Sequence, residues 1–306
     1  MLNSSFSQIQ VEIRRLADEK GIVILAHNYQ RGEIQDVAHF TGDSLQMAKF
    51  AVQTSGSAIL VCGVRFMAET AAILNPRRHV YIPEPDAGCP MANMIDENTL
   101  RRLRLENPTA VVVCYVNSSA EVKALSDICC TSSNAVRVVA SIPKEKPVLF
   151  IPDQNLGGFV KRSLNRENMI LFPGYCHVHN YLNVKSIKEL KESDPDSILL
   201  MHPECTQEAL KLADHIASTG QMIEFVKKSQ AKSFIIVTER EITYPLKKAN
   251  PDKKFIHPDP PLLCPNMKLT TIQKVLEAVK SPAHRVTVSE SVRISAVQAL
   301  NRMLEV

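Results

Sequence analysis

A repeated interval is the sequence feature that most constrains the fold of this chain. Three cysteines, Cys89, Cys176 and Cys264, are 87 and 88 residues apart in a chain of 306 residues. Each follows a short apolar run and a turn rich in proline or glycine, within "YIPEPDAGCPMAN", "FPGYCHVHN" and "PDPPLLCPNMK". A period of this length indicates a duplicated structural unit, and equivalent loops become neighbours when the units surround an axis.

Three apolar runs that end in polar residues repeat at the same interval. "GIVILAHNYQ" contains His27, "AVVVCYVNSS" contains Tyr115 and "SILLMHPEC" contains His202, at steps of 88 and 87 residues. Continuous apolar runs separated by helical stretches are typical of buried parallel strands. Since α/β folds place their sites at the carboxyl ends of such strands, we expect these residues to share a pocket.

Three hydroxyl residues, Ser44, Ser132 and Thr219, are also 88 and 87 residues apart, and each precedes or opens a predicted helix. A hydroxyl at a helix start is often a plain N-cap. The same position also suits an anion, because free N–H groups and the helix dipole attract negative charge. Three such residues in phase with the other polar clusters favour a shared anion-binding pocket.

These periods predict an α/β protein of three homologous α/β/α domains, each with a short parallel sheet, around a pseudo-threefold axis. The predicted domains are residues 1–107, 108–194 and 195–306. Flanking helices are predicted at about 5–20 in the first domain and about 286–304 in the third.

Three cysteines that converge at such an axis favour a metal centre. One candidate is zinc, with a fourth ligand from His177, His179 or Cys205. Another is a [4Fe–4S] cluster, in which three thiolates leave one iron open to act as a Lewis acid. Buried free cysteine is a third reading, but loops stiffened by proline suit pre-placed ligands better than core residues.

The polar clusters provide groups that chemistry beside such a metal requires. Some side chains can transfer protons, namely His27, Tyr29, Tyr115, His202 and Glu204. Others can hold carboxylate or phosphate groups, namely Ser44, Asn117, Ser132 and Thr219.

Composition argues against several other classes. The net charge is only +4 and the basic residues are dispersed, so nucleic-acid binding is not expected. No apolar run approaches the ~18–20 residues of a membrane span. The N-terminal "MLNSSFSQIQVEIRRLADEK" lacks the apolar core of a signal peptide, which predicts a cytoplasmic protein with reduced cysteines.

Short motifs extend these observations in order along nearly the whole chain. They are "AHNYQ" (26–30), "GDSLQMA" (42–48), "GCPMA" (88–92), "CYVNSSAEVKA" (114–124), "CCTSSNA" (129–135), "PDQNLG" (152–157), "GYCHVH" (174–179), "HPEC" (202–205), "STGQMI" (218–223), "TE" (238–239) and "CPNMK" (264–268). In these motifs the chain resembles the quinolinate synthase family, the A-type enzymes of bacterial and archaeal NAD biosynthesis.

The resemblance implies one [4Fe–4S] cluster per chain, held by Cys89, Cys176 and Cys264, with one iron open to substrate. The implied reaction condenses iminosuccinate with dihydroxyacetone phosphate to give quinolinate, phosphate and two waters. It also implies functional links to an iminosuccinate-producing enzyme and to a quinolinate phosphoribosyltransferase.

The resemblance further implies roles for individual positions. Substrate contacts fall on His27, Ser44, Tyr115, Val116, Asn117, Ser132, His202, Pro203, Glu204 and Thr219. The candidates for proton transfer are His27, Tyr29, His202 and Glu204, with Glu204 favoured as a base.

Two other functions are considered. A zinc-dependent lyase or aldolase acting on a triose phosphate would use the same cysteines with His177 or His179. An iron–sulfur sensor would need a DNA-binding or partner module, which no segment indicates. Metal content separates the zinc enzyme from the iron–sulfur enzyme.

Overall fold

A computed structural model describes the backbone of residues 2–306 and the side chains of residues 8–306. Within this range, the strands form three separate four-stranded sheets, and all of their strand pairs are parallel. None of the helices in residues 2–306 is both long and apolar enough to span a bilayer.

The three sheets have the same topology. The first contains β1 (Ile22–His27), β2 (Phe40–Gly42), β3 (Ala58–Cys62) and β4 (His79–Tyr81), in the order β2-β1-β3-β4. The second contains β5 (Val111–Tyr115), β6 (Ile128–Cys130), β7 (Val148–Ile151) and β8 (Met169–Leu171), in the order β6-β5-β7-β8. The third contains β9 (Ile198–Met201), β10 (His215–Ile216), β11 (Ser233–Val237) and β12 (Lys254–Ile256), in the order β10-β9-β11-β12. This threefold repetition confirms the predicted α/β fold.

Helices cover the faces of these sheets. The first segment contains α1 (Leu2–Glu19), α2 (Gly32–Val37), α3 (Ser44–Gln53), α4 (Arg65–Leu74) and α5 (Glu97–Glu106). The second contains α6 (Ala120–Ala124), α7 (Ala135–Ala140), α8 (Gln154–Ser163), α9 (His177–Asn180) and α10 (Val184–Ser193). The third contains α11 (Gln207–Leu210), α12 (Thr219–Lys228), α13 (Thr243–Ala249), α14 (Ile272–Lys280) and then α15 (Glu290–Glu305). Single 3₁₀ turns lie at Met91–Asn93, Arg240–Ile242 and Asn266–Lys268.

The first strands, β1, β5 and β9, form the interior of their sheets. Their sequences, "IVILAH", "VVVCY" and "ILLM", are almost wholly apolar because helices cover both faces. The polar residues follow where these strands end. Each unit therefore has one set of polar side chains, and the set lies at the same end of all three units.

The helices at the two ends of the chain join different units. α1 and α14 pack with the first sheet, where Ile13 and Val275 belong to one buried cluster with Ile24. α15 packs against α6 and β6 of the second sheet, and Asn134 Nδ2 donates a hydrogen bond to the carbonyl of Met303. The boundaries 1–107, 108–194 and 195–306 stay a prediction.

A polar contact near the axis joins all three units. The Ser133 hydroxyl is 2.5 Å from Asp43 Oδ2 and 2.8 Å from Ser218 Oγ. Gly220 permits this approach, because a Cβ at that position would lie 2.7 Å from Asp43 Oδ2. The starts of α3 and α12 and the turn before α7 are therefore in direct contact.

Candidate active site and metal centre

The carboxyl ends of the three sheets surround one central cavity of about 740 Å³, its mouth included. Most of the residues selected from the sequence line it, namely His27, Tyr29, Ser44, Cys89, Tyr115, Asn117, Ser132, Cys176, His202, Glu204, Thr219 and Cys264. Val116 lines a smaller adjacent void. Pro203 is buried between His202 and Glu204, outside the cavity wall.

The three cysteine loops have the same local structure. Cys89, Cys176 and Cys264 each precede a short helical turn, and in each loop the backbone N–H of the third residue after the cysteine acts to lower the pKa of its thiol. These donors are Ala92, His179 and Met267. An N–H group directed at sulfur stabilises a thiolate, which is the form that binds metal.

Burial nevertheless raises the pKa of each of these thiols. The pKa of Cys89 rises to about 12, and those of Cys176 and Cys264 rise as well. Negative charge on Cys264 would raise the pKa of Cys89 further, so the two sulfurs lie within electrostatic range. In the protein alone they are thiols at neutral pH, and a metal that binds them must displace their protons.

The donors in this part of the cavity fit a metal centre. Among the described residues, Cys176, His179 and Glu204 offer ligand atoms within 4.8 Å of one another. His179 Nδ1 is 3.3 Å from Cys176 Sγ and 2.8 Å from Glu204 Oε2. Oε1 of Glu204 is buried and has no partner among the side chains of residues 8–306. An unpaired carboxylate oxygen beside sulfur and imidazole favours a bound cation or a hydrogen-bonding substrate.

His27 and His202 share one tautomer. The Tyr29 N–H is 3.2 Å from His27 Nδ1, and the Glu204 N–H is 3.4 Å from His202 Nδ1. A neutral imidazole that accepts at Nδ1 carries its proton on Nε2. Burial lowers the pKa of both rings to about 3, although the charge of Glu204 opposes this shift. Both histidines are therefore neutral N–H donors at physiological pH.

The carboxyl group of Glu204 is ionised. Burial alone would raise its pKa, but His202 and the hydrogen bond from His179 outweigh burial and lower the pKa to about 2. Burial and the charge of Glu204 raise the pKa of Tyr29 well above its usual value of 10. A protonated phenol and a carboxylate therefore occupy the same cavity.

A hydrogen-bonded series connects these two groups. Tyr29 Oη is 2.5 Å from Thr238 Oγ1, Thr238 Oγ1 is 2.8 Å from His179 Nε2, and His179 Nδ1 is 2.8 Å from Glu204 Oε2. The ionised Glu204 fixes the direction of the series, because it can only accept. His179 then donates from Nδ1, Thr238 donates to Nε2, and Tyr29 donates to Thr238.

Ser44 and Thr219 are not the N-caps of the helices that they begin. Asp43 caps α3 by accepting the Gln46 N–H, and Ser218 caps α12 by accepting the Gln221 N–H. Ser44 and Thr219 are the next residues, and they face the cavity. The plain N-cap reading is therefore wrong for these two positions. Ser132 lies in the turn before α7, 3.2 Å from His202 Nε2.

Sequence reasoning missed several residues of this site. The sequence indicates His179 only as a possible zinc ligand, and it indicates no role for Thr238, Glu239 or Lys268. Thr238 and Glu239 form the motif "TE", Lys268 ends "CPNMK", and His179 ends "GYCHVH". They are out of phase with the 87–88-residue repeat, so periodicity did not select them.

Cys205 is placed apart from the cavity cysteines. It is fully buried in the apolar cluster of the third unit, with Sγ 3.7 Å from the Val237 carbonyl. It does not line the cavity formed by the described residues.

Together these features define an α/β protein with a buried polar site of the kind found in enzymes. A profile of the family described as "Quinolinate synthetase A protein" matches residues 11–305. The "Quinolinate synthase" of Geobacter metallireducens is 48% identical over 298 residues, which cover 97% of each chain. The "Quinolinate synthase" of Alkaliphilus metalliredigens is 46% identical over 295 residues, covering 96% of this chain and 97% of that one. The "Quinolinate synthase" of Caldicellulosiruptor saccharolyticus is 45% identical over 298 residues, covering 97% and 98%.

The chain therefore belongs to the quinolinate synthetase A family, and it is an enzyme.

Proposed function

We propose that this enzyme condenses iminosuccinate with dihydroxyacetone phosphate to give quinolinate, phosphate and two waters. The observation that carries the proposal is the convergence of three cysteine loops and three hydroxyl side chains on one cavity. The reaction belongs to de novo NAD biosynthesis, between an iminosuccinate-producing enzyme and a quinolinate phosphoribosyltransferase. We place it in the cytoplasm, where thiol ligands stay reduced.

Cys89, Cys176 and Cys264 would hold a [4Fe–4S] cluster, one sulfur from each unit. Three protein thiolates leave one iron with an open position, and when bound the cluster supplies a Lewis acid toward a substrate oxygen. The fit rests on the shared structure of the three loops, in each of which backbone N–H groups of the following helical turn favour the thiolate.

Proton transfer would use ionisable side chains that line the same cavity, some of them beside Cys176. Glu204 is ionised and can accept a proton, and Tyr29 is protonated and can donate one. The series from Tyr29 through Thr238 and His179 holds Glu204 Oε2 as a hydrogen-bond acceptor, and it leaves the unpaired Oε1 to take up a proton. His27 and His202 donate hydrogen bonds from Nε2 without changing charge.

Substrate anions would bind at the helix starts. Ser44, Ser132 and Thr219 face the cavity where free N–H groups and helix dipoles favour carboxylate and phosphate. Oδ1 of Asn117 is buried without a partner among residues 8–306, as expected for an atom that awaits a ligand. The remaining proposed contacts are Tyr115, Val116 and Pro203.

The test is formation of quinolinate and phosphate by anaerobically reconstituted protein supplied with both substrates. Product should require both substrates together. Absence of quinolinate from protein that contains a full cluster would contradict the proposal.

A zinc-dependent lyase is a second candidate, favoured by one observation. Cys176, His179 and Glu204 together form a mixed set of sulfur, nitrogen and oxygen donors that zinc also accepts. Metal analysis of protein purified without oxygen decides between them, since the lyase requires zinc and the condensing enzyme requires iron and sulfide.

A further inference from the structure

Each unit ties its cysteine loop to the end of its third strand. The first residue after a helix N-cap donates its backbone N–H to the carbonyl two residues before the cysteine. The three bonds are Arg65 N to Ala87 O at 2.8 Å, Gln154 N to Gly174 O at 2.8 Å, and Arg240 N to Leu262 O at 2.9 Å. Because one bond recurs in all three units, the three loops can be compared position by position.

The N-cap residues themselves differ between the units. They are Val64, Asp153 and Glu239, in the same place after β3, β7 and β11. Asp153 and Glu239 are fully buried carboxyl residues. Valine offers no side-chain acceptor, so the first unit departs from the other two at this position.

Asp153 contacts the backbone of Cys176. Its Oδ2 accepts the Cys176 N–H at 3.3 Å, and its Oδ1 accepts the Leu156 N–H at 2.7 Å. The second bond caps α8 and fixes the carboxyl group in one orientation. The cysteine loop is thereby joined to the start of a helix by a fully buried side chain that is hydrogen-bonded through both oxygens.

Glu239 holds Cys264 in the same way. Its Oε1 lies 3.4 Å from the Cys264 N–H and 2.8 Å from Lys268 Nζ, and its Oε2 accepts the Glu241 N–H at 3.0 Å. Lys268 Nζ also donates to the carbonyl of Tyr29 in the first unit. Glu239 therefore connects a cysteine loop with a residue of the proton-transfer series.

The first unit has no equivalent contact. Among the described side chains, none accepts the Cys89 N–H. The backbone bond from Arg65 to Ala87 remains as the tie between that loop and its third strand.

We propose that Asp153 and Glu239 are positioning residues that hold Cys176 and Cys264 in place before metal binds, while Cys89 sits on the more adaptable loop. The inference rests on the proposed function in taking these cysteines as metal ligands, and it adds the residues that orient them. Hydrogen bonds behind a ligand commonly fix its orientation and strengthen metal binding. With Cys176 and Cys264 held in place, a preformed metal centre could bind these two ligands first. The Cys89 loop would then adjust to supply the third ligand.

The test measures the alkylation rate of each cysteine in the metal-free full-length chain, resolved by peptide mass spectrometry. Asp153→Asn keeps an oxygen for the Leu156 N–H but places an NH₂ donor where Oδ2 accepts the Cys176 N–H. Glu239→Gln is the corresponding change, with an oxygen kept for the Glu241 N–H and an NH₂ group facing the Cys264 N–H. Asp96→Asn, at the N-cap of α5, is the matched control because it bonds only Thr99.

We expect Asp153→Asn to raise the rate at Cys176 about fivefold and leave Cys264 unchanged, the size expected for loss of one hydrogen bond. Glu239→Gln should do the reverse, and Asp96→Asn should alter neither. Equal acceleration at all three cysteines would indicate general loosening and overturn the proposal, as would unchanged rates.

A second variant and a second measurement guard against misfolding. Asp153→Ser keeps a cap for α8 but is too short to reach Cys176, so it should also accelerate Cys176 alone. In reconstituted protein, Asp153→Asn and Glu239→Gln should each lose iron to a chelator faster than Asp96→Asn does. These readouts do not require quinolinate, so failure here is distinguishable from failure of the proposed reaction.

Discussion

Two regions of this protein each contain three cysteines, and the surroundings of those cysteines differ. Around the cavity, Cys89, Cys176 and Cys264 are partly buried on loops, each sulfur facing the N–H groups of a helical turn. In the second sheet, Cys114, Cys129 and Cys130 are fully buried within β5 and β6. Cys114 and Cys129 are register partners on adjacent strands.

The comparison teaches that the role of a cysteine here depends on where it lies in the unit. At the carboxyl end of a sheet, a cysteine on a proline- or glycine-containing loop can offer its sulfur to a shared cavity. Inside a strand, the same side chain is a small apolar group that fills space. The following predictions would sharpen or break this distinction.

The largest effect is expected from Glu204→Gln, which separates chemistry from metal binding within the cavity. The amide cannot accept a proton, so kcat should fall by about 10²-fold or more. Iron content should be unchanged, because Glu204 is not among the three proposed thiolate ligands. Loss of metal in this variant would instead favour the Cys176, His179 and Glu204 set.

Ser44→Ala tests the hydroxyl side chains at the cavity. Loss of one hydrogen bond to a charged substrate group should raise KM by about tenfold, with a smaller change in kcat. Ser57→Ala is the control, since Ser57 is an exposed residue of the same unit that bonds only to backbone carbonyls. Steady-state kinetics that gave the two variants equal KM values would remove Ser44 from the binding site.

The pH dependence of stability tests the buried histidines in metal-free protein. His202 has a folded pKa of about 3 and an ordinary unfolded pKa of 6.5, so the unfolded state binds more protons between these values. Stability should therefore fall as pH drops through this window, by at most ~1.4 kcal/mol per pH unit for one group. His202→Asn should flatten the slope in urea unfolding between pH 6.5 and pH 4. An unchanged slope, equal to that of the surface control His284→Asn, would contradict the assignment.

The smallest effect is expected from Cys129→Ala in the second sheet. Removal of one buried sulfur should lower the free energy of unfolding by about 1 kcal/mol, because it leaves a small void. Iron content and kcat should be unchanged. Loss of the metal centre in Cys129→Ala would show that the two regions are not independent.

Much of this architecture could be predicted from the sequence, because repetition makes each observation count three times. The apolar runs ending at His27, Tyr115 and His202 predicted the central strands and the end at which the site lies. The three cysteines and three hydroxyl residues were in phase, and all of them line the cavity.

Other features could not be predicted from the repeat, for different physical reasons. Thr238 lies just after β11, where the related positions after β3 and β7 are Gly63 and Pro152. Asp43 and Ser218 cap helices that Ser44 and Thr219 could equally have capped, since adjacent polar residues have similar propensities. The packing of α15 against the second sheet depends on tertiary contacts rather than on its own sequence.

The central claim is that one cysteine from each unit holds an iron–sulfur centre in the shared cavity. Its most direct test is iron and labile sulfide per chain after anaerobic reconstitution, in the unmodified protein and in Cys89→Ser, Cys176→Ser, Cys264→Ser and Cys205→Ser. We predict about four irons per chain, lost in the first three variants and kept in Cys205→Ser. Zinc in place of iron, or a centre that is lost with Cys205 and survives loss of a cavity cysteine, would contradict the account.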